Sequence, residues 1–180
     1  MFVQTQKTPN PNSLKFLPGK KVSNDGPYEI LSKDETSNHL IRNILSINGV
    51  TGVFLGEDFL SVNKKEKEKW ESIQYIVISY INEYYAEGNE SVIDKSSNSS
   101  NSENYSEIEK KIVHILETKI RPAVARDGGD IIFKEFINGQ VKVELKGSCS
   151  GCPSSTITLK QGVQNLLCHY IPEVKEVIAV

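Results

Sequence analysis

Two cysteines lie three positions apart near the C-terminal end of the sequence, in the stretch KGSCSGCPSSTITL at residues 146–159. Cys149 and Cys152 form a C-x-x-C pair, and Pro153 follows directly. A pair at this spacing can be half of a metal site, a redox dithiol, a disulfide or two small core residues. The elements around the pair decide among these chemistries.

The pair is predicted to lie between the end of a strand at residues 140–146 and the start of a helix near Pro153. Cys152 then occupies the N-cap position, where free backbone N–H groups and the positive end of the helix dipole favour thiolates. The residues between and beside the cysteines are small and allow a tight turn: Gly147, Ser148, Ser150 and Gly151. We therefore expect two exposed thiolates rather than two core residues.

The third cysteine, Cys168, follows Cys152 by sixteen positions on the same predicted helix. At a rise of 1.5 Å per residue it lies about 24 Å away, so Cys168 and the neighbouring His169 are expected to be structural. His114 is also expected to be structural, and His39 is the only potential ligand in the N-terminal part. One chain thus offers two ligands, whereas zinc or an iron–sulfur cluster normally takes four. Two loops that meet in a twofold-symmetric pair would complete the set.

The composition favours a soluble protein without nucleic-acid or membrane partners. Of the 180 residues, 38% are hydrophobic and 24% are charged, and the net charge is −2, so no basic surface is expected. No stretch approaches the roughly 18 to 20 apolar residues that span a bilayer, and the N-terminus has no secretion signal. Three cysteines are too few for a disulfide framework, which indicates a reducing compartment.

A polar segment, AEGNESVIDKSSNSSNSEN at residues 86–104, separates two parts of the chain. Apart from Ala86 at its first position, only Val92 and Ile93 are apolar there, so the segment cannot bury enough surface to offset its ordering entropy. A flexible segment of this length spans about 25 Å, which would let the flanking parts move independently. We predict an N-terminal domain at residues 1–87, a flexible Ser/Asn-rich linker at 88–104 and a C-terminal domain at 105–180.

The N-terminal part is predicted to be a small α+β domain. The turn TPNPN separates strands at residues 2–7 and 13–17, because Pro9 and Pro11 restrict the backbone and asparagine favours turns. A helix at residues 39–47, a hairpin around residues 56–58 and an amphipathic helix at residues 68–85 follow. Its aromatic stripe is expected to be core, and no catalytic group is visible in this domain.

The C-terminal part is predicted to be a second small α+β domain. Ser106 and Glu109 form a capping-box pattern at the start of a helix, which Pro122 kinks and residues 127–129 end. Asn138-Gly139 joins two antiparallel strands at residues 131–137 and 140–146. A helix from Pro153 to a point before Pro172 and a last strand complete the order helix, hairpin, helix, strand.

Four motifs resemble one known family along nearly the whole chain. GSCSGCPSSTITLKQGV at residues 147–163 and RPAVARDGGDI at residues 121–131 resemble the NifU-like C-terminal domain of Nfu iron–sulfur cluster proteins. FVQTQKTPNPNSLKFLPG at residues 2–19 and GVFLGEDFLSVNK at residues 52–64 resemble the N-terminal domain of the mitochondrial and alphaproteobacterial members.

The resemblance implies a scaffold or carrier and not an enzyme. Such a protein receives a [4Fe–4S] or [2Fe–2S] cluster from upstream assembly proteins and passes it to apo-proteins such as lipoyl synthase, respiratory subunits or aconitase-like enzymes. The family's ligands correspond to Cys149 and Cys152, and a cluster-bridged homodimer is expected. The family's D-G-G-D element corresponds to residues 127–130, which we interpret as a helix stop and turn beneath the hairpin. A bacterial, alphaproteobacterial cytoplasm is the expected compartment, or the mitochondrial matrix if the protein is eukaryotic and processed.

Two other functions use the same cysteines. In a thiol–disulfide oxidoreductase, the thiolate at the helix start would attack a disulfide. Thioredoxin-like proteins, however, carry the pair within a larger βαβ arrangement, whereas here it follows a hairpin. In a zinc-bridged binding module, two copies would share a structural zinc.

Overall fold

The structure is a computed structural model that describes residues 2–93 and 104–180. Both described parts combine helices and sheets, so the predicted α+β class is confirmed. The first part contains a five-stranded antiparallel sheet with strand order β1-β2-β5-β4-β3. Its strands are β1 (Gln4–Lys7), β2 (Ser13–Leu17), β3 (Tyr28–Ile30), β4 (Val50–Leu55) and β5 (Leu60–Lys64).

Two helices complete this N-terminal unit, α1 (His39–Leu45) and α2 (Trp70–Ala86). The side chain of Asn38 accepts a hydrogen bond from the backbone N–H of Ile41 and caps α1. The apolar faces of the strands and of both helices form one core, which includes Phe16, Leu40, Ile44, Val62, Ile73, Val77 and Ile81. The aromatic residues Tyr84 and Tyr85 lie in that core, as predicted for the stripe on α2.

The N-terminal unit differs from the sequence prediction at two places. The short strand β3 and the following 3-10 helix (Lys33–Glu35) were not predicted, because three residues carry too little periodicity to be recognised. The predicted linker also begins too early. Val92 is buried in the core and donates its backbone N–H to Val22 O at 2.8 Å. Residues 94–103 of the predicted flexible linker lie outside the described residues.

The C-terminal unit contains a three-stranded sheet of order β6-β7-β8, in which β7 is central. β6 pairs antiparallel with β7, and β8 pairs parallel with it. The elements are α3 (Glu107–Ile115), a π-helical turn (Leu116–Ile120), α4 (Arg121–Arg126), β6 (Gly129–Ile137), β7 (Gln140–Gly147), α5 (Pro153–Tyr170) and β8 (Glu176–Ala179). Apolar residues of the helices pack against the sheet and form a second core.

Local sequence signals explain these elements. Ser106 and Glu109 form the predicted capping box at the start of α3. The irregularity predicted at Pro122 is present as the π-helical turn just before α4, since proline lacks the N–H that a regular helix needs. Asn138 and Gly139 have φ angles of 52° and 82°, which suit the two-residue hairpin turn between β6 and β7.

The two units contact each other, in contrast to the independent movement that we expected. The Lys15 amine of β2 donates hydrogen bonds at 3.3 Å to the carbonyl oxygens of Ala125 and Arg126 at the end of α4. Lys15 is only 7% exposed as a result. Within residues 2–93 and 104–180, no helix has the length and apolarity needed to cross a membrane.

Candidate metal centre

The cysteine loop, residues 147–152, connects the end of β7 to the start of α5. Cys152 is the N-cap residue of α5 and Pro153 is in its first turn, as predicted. Gly147, at a φ of +66°, turns the chain out of the strand. Its carbonyl accepts hydrogen bonds from the backbone and the side chain of Ser150, at 3.2 and 2.9 Å. The turn therefore places Cys149 and Cys152 in one compact loop.

Cys152 is half-buried at the helix start. Its Sγ lies 3.3 Å from Ser154 Oγ, within hydrogen-bonding reach. Its carbonyl accepts the backbone N–H of Thr156 at 3.0 Å, which is the first hydrogen bond of α5. Cys152 thus presents a partly accessible sulfur at a helix N-terminus, the environment that stabilises a thiolate.

Cys149 does not have the exposure that we predicted. It is 7% exposed and belongs to the apolar core of the C-terminal unit. Burial raises the pKa of the Cys149 thiol to about 11; the hydrogen bond with Ser148 opposes this rise, and the charges of Asp127 and Asp130 add to it. The expectation of two exposed thiolates was therefore wrong for Cys149, because the turn after β7 directs this side chain inward.

The D-G-G-D element, residues 127–130, lies directly beneath the cysteine loop. The backbone N–H of Ser148 donates to Gly128 O at 3.2 Å, and Ser148 Oγ donates to Asp127 O. A Cβ atom at Gly129 would lie 2.6 Å from Cys149 Sγ, so only glycine leaves room for the sulfur. The D-G-G-D element both ends the helix and supports the cysteine loop. The sequence indicated only the helix stop and the turn.

An ion pair holds the last residue of this element in place. The guanidinium of Arg121 donates two hydrogen bonds of 2.8 Å to the two carboxylate oxygens of Asp130. Asp130 is 4% exposed, and the hydrogen bond to its carboxylate raises the pKa of Arg121 further above its usual range. The pair fixes α4 to the first residues of β6, and hence to the base of the cysteine loop.

An apolar cavity of about 540 Å³ opens beside Cys149. Its lining comes from both units and includes Pro9, Ile120, Val124, Leu159 and Val163. Pro9 belongs to the turn between β1 and β2, which sequence reasoning interpreted only as a connection. The motif resemblance at residues 2–19 was the available signal that this turn has a further role.

The remaining candidate ligands lie elsewhere. Cys168 packs against the second core, and the His169 ring contacts the ring of Tyr170. His39 lies 3.1 Å from a Glu87 carboxylate oxygen in the N-terminal unit. None of the three cysteines forms a disulfide, and within the described ranges no group of three or more His, Cys, Asp or Glu residues could hold a metal ion. The described part of one chain thus supplies the two sulfurs of a single loop.

Two family models match the sequence. Residues 112–178 match the family model described as "NifU-like domain", and residues 3–88 match "Scaffold protein Nfu/NifU N terminal". A solution structure of a NifU-like protein from Saccharomyces cerevisiae is 31% identical, with a TM-score of 0.48, over 53% of this chain and 87% of that chain.

Two curated relatives align along almost the entire sequence. The human protein named "NFU1 iron-sulfur cluster scaffold homolog, mitochondrial" is 43% identical over 98% of this chain and 71% of its own length. The protein of the same name from Drosophila yakuba is 44% identical over 98% of this chain and 64% of its own length. The chain thus spans about two thirds of the length of these relatives. Both are named as mitochondrial, so the expected bacterial cytoplasm has no support. On this similarity, the chain belongs to the family of Nfu iron–sulfur cluster scaffold proteins.

Proposed function

We propose that this protein holds an iron–sulfur cluster between two copies of the chain, through Cys149 and Cys152 of each, and passes it to apo-proteins. The observation that carries the proposal is the supply of ligands. One loop contains two cysteine sulfurs, the partly accessible one of Cys152 and the buried one of Cys149, and the rest of the described chain adds no further group of metal ligands around them. Since a cluster takes about four thiolates, a second loop has to complete the set.

The loop suits a cargo that must leave again. Each chain supplies only half of the ligands of a cluster held between two chains, so the thiolates of an acceptor protein can replace these ligands in steps. Ligand exchange of this kind requires no catalytic residue, and we propose a carrier rather than an enzyme. We propose [4Fe–4S] as the cargo, with [2Fe–2S] as the smaller form that the same four thiolates can hold.

The partners follow from the same chemistry. Upstream cluster-assembly proteins would load the loop, and apo-proteins with free cysteine ligands would receive the cluster. Because the human and Drosophila relatives are named as mitochondrial, we propose the mitochondrial matrix as the compartment. Fractionation of cells that produce a tagged form of the protein tests this location, and recovery outside mitochondria would contradict it.

Anaerobic reconstitution with iron and sulfide tests the function. We expect a brown dimer with about four irons per two chains, identified by metal analysis and by native mass measurement. Cys149→Ser and Cys152→Ser are expected to abolish iron binding. Cys168→Ser is the matched control, since Cys168 lies outside the loop, and it is expected to bind iron normally. Equal iron content in all three variants would contradict the ligand assignment.

The same preparation distinguishes the two other uses of the cysteine pair. A protein that purifies anaerobically with zinc and takes up no iron would be a zinc-bridged module. Catalysed reduction of insulin by metal-free protein would identify a thiol–disulfide oxidoreductase. Iron and sulfide in equal amounts, without reductase activity, support the carrier.

A further inference from the structure

A polar face of the N-terminal unit contacts the cysteine loop and the elements beneath it. We call it the loop-binding face, and it consists of four side chains: Asn10, Lys15, Glu29 and Asn63. Asn10 is 3% exposed and Lys15 is 7% exposed. Most polar groups buried to this extent have hydrogen-bond partners, and the Asn10 amide nitrogen and the Lys15 amine donate to partners in the C-terminal unit.

Three of these side chains bind the backbone of the cysteine loop. Glu29 Oε1 accepts the N–H of Gly147 at 2.9 Å, and Asn63 Nδ2 donates to the carbonyl of the same glycine at 3.2 Å. Asn10 Nδ2 donates to Ser150 O at 3.2 Å. The backbone on both sides of Cys149 is therefore held by the other unit.

The fourth side chain, Lys15, binds the element that leads into the D-G-G-D turn. Its amine contacts the last carbonyl oxygens of α4, where the helix dipole favours a positive charge. It also lies 4.2 Å from the centroid of the Phe59 ring. Burial lowers the pKa of Lys15, whereas the charges of Asp58 and Asp127 raise it. A buried amine with donors directed at a helix end is a specific contact, not an incidental one.

The two surfaces also fit each other at two glycines. A Cβ atom at Gly128 would lie 2.6 Å from Ser61 Oγ, and one at Gly147 would lie 2.9 Å from the Phe54 ring. Both Ser61 and Phe54 belong to the N-terminal unit. The units thus approach each other more closely than any residue with a side chain would allow at these positions.

We infer that the loop-binding face is an intramolecular cover for the cysteine loop, and that it competes for this loop with a second copy of the chain. A copy that shares a cluster must bring its own loop against residues 147–152, where Pro9 and the loop-binding face already lie. Cluster loading and the covered arrangement therefore exclude each other. The competition rests on the proposed function, whereas the cover is a property of the metal-free chain.

Alkylation of the metal-free, full-length chain by iodoacetamide tests the cover. Trypsin releases residues 147–160 as one peptide, whose fragments report Cys149 and Cys152 separately, and Cys168 lies in the next peptide as an internal reference. In the double variant Glu29→Ala, Asn63→Ala, two hydrogen bonds to the loop are lost, and we expect Cys149 to react about tenfold faster. Asn43→Ala, at an exposed position of α1, is the control and should leave the rate unchanged.

An equal Cys149 rate in the double variant and in the unchanged chain would overturn the cover, whether or not the protein binds a cluster. A faster rate at Cys168 as well would indicate loss of the fold, and the second measurement then decides. Hydrogen–deuterium exchange at the Gly147 amide, followed by mass spectrometry, requires no variant. Because this N–H donates to Glu29, we expect slow exchange in the metal-free chain and faster exchange after reconstitution. Fast exchange at Gly147 in the metal-free chain would overturn the cover, and equally slow exchange in the brown dimer would overturn the competition.

Discussion

Glu29 and Gly147 are separated by 118 positions in the sequence, yet the glycine N–H donates a 2.9 Å hydrogen bond to the glutamate carboxylate. Glu29 lies on β3 of the first sheet, and Gly147 is the last residue of β7 in the second. The bond joins an edge strand of one unit to the first residue of the cysteine loop in the other. Accessibility of the proposed cluster ligands thus depends on both halves of the chain.

The protonation of Glu29 is expected to change the contact between the units. Burial raises the pKa of Glu29; the hydrogen bond from Gly147 and the charge of Lys146 oppose this rise, and Glu144 and Glu35 add to it. Because burial raises the pKa of Glu29 in the folded chain, the contribution of Glu29 to folded-state stability is complete when it is protonated and falls as pH rises through the raised pKa. Glu29→Gln keeps the acceptor oxygen without the charge, so its contact is expected to be independent of pH.

This prediction is tested by measuring the alkylation rate of Cys149 at acidic and neutral pH in the unchanged chain and in Glu29→Gln. At each pH, the rate of the unchanged chain is divided by the rate of the variant. The titration of the thiol itself cancels in the ratio. We expect a ratio near one at low pH that increases as pH rises. A flat ratio would show that the charge of Glu29 does not affect the contact.

Removal of the Arg121 side chain is expected to destabilise the C-terminal unit. Arg121→Ala leaves the carboxylate of Asp130 buried without its cation. We expect a loss of about 2 to 4 kcal/mol of unfolding free energy. This loss is somewhat smaller than for a fully buried pair, because the Arg121 side chain is one third exposed. Urea unfolding followed by circular dichroism gives this value. Lys110→Ala removes an exposed ion pair with Glu107 and serves as the control, with an expected loss below about 0.5 kcal/mol. Equal losses in the two variants would contradict the role given to the buried pair.

A side chain at Gly129 is expected to displace the cysteine loop. In Gly129→Ala the new Cβ would lie 2.6 Å from both Cys149 Sγ and Lys146 O, so the loop has to shift. We expect lower iron content after reconstitution and faster alkylation of Cys149. Gly162→Ala is the matched control, since α5 has open space there, and it should stabilise the helix by about 0.5 to 1 kcal/mol with normal iron content. Normal iron content in Gly129→Ala would contradict the prediction.

Alkaline pH is expected to destabilise the N-terminal unit through Tyr85. Burial raises the pKa of Tyr85 to about 12 from an ordinary value of 10.0, and its hydroxyl donates to Lys21 O at 2.8 Å. The unfolded chain loses this proton at lower pH than the folded chain, so the stability contribution is complete below pH 10 and declines up to about pH 12. Tyr85→Phe should cost about 1 kcal/mol at neutral pH and lack this decline.

Urea unfolding, followed by the fluorescence of the single tryptophan Trp70, measures the loss of stability in Tyr85→Phe at neutral pH and the decline in stability at alkaline pH. The two proteins are expected to converge in stability as pH rises above 10. A constant difference across this range would show that the hydroxyl is not protected by burial.

The elements with strong local signals could be predicted from the sequence. The capping box at Ser106, the turn at Asn138-Gly139 and the N-cap position of Cys152 depend on residues a few positions apart, and the structure contains all three. The inward direction of Cys149 could not be predicted, because it depends on the close approach of Gly129, twenty positions away. Val92 is buried because residues 92 and 93 pair with the backbone of Val22 and Ser23. The polar residues around Val92 gave no indication of this pairing.

The contact between the units was the largest feature that the sequence did not indicate. Asn10 and Asn63 are typical surface residues, and neither their type nor their spacing predicts a buried partner. Lys15 alternates with apolar residues of β2 and would be expected to face solvent. Its amine is instead buried against the end of α4, a position that only the three-dimensional arrangement of both sheets provides.

The two ends of the cysteine loop are held differently. At one end, Gly147 is paired with Gly129 of β6 and donates its N–H to Glu29, whereas the pairing of β7 with β8 ends at Val143. The Gly147 end is therefore held by one strand and by the N-terminal unit. At the other end, the first turns of α5 are loosely covered, and Ile157 is 67% exposed. Any rearrangement that brings Cys149 to the surface therefore hinges at the start of α5, and Cys152 moves farther than Gly147.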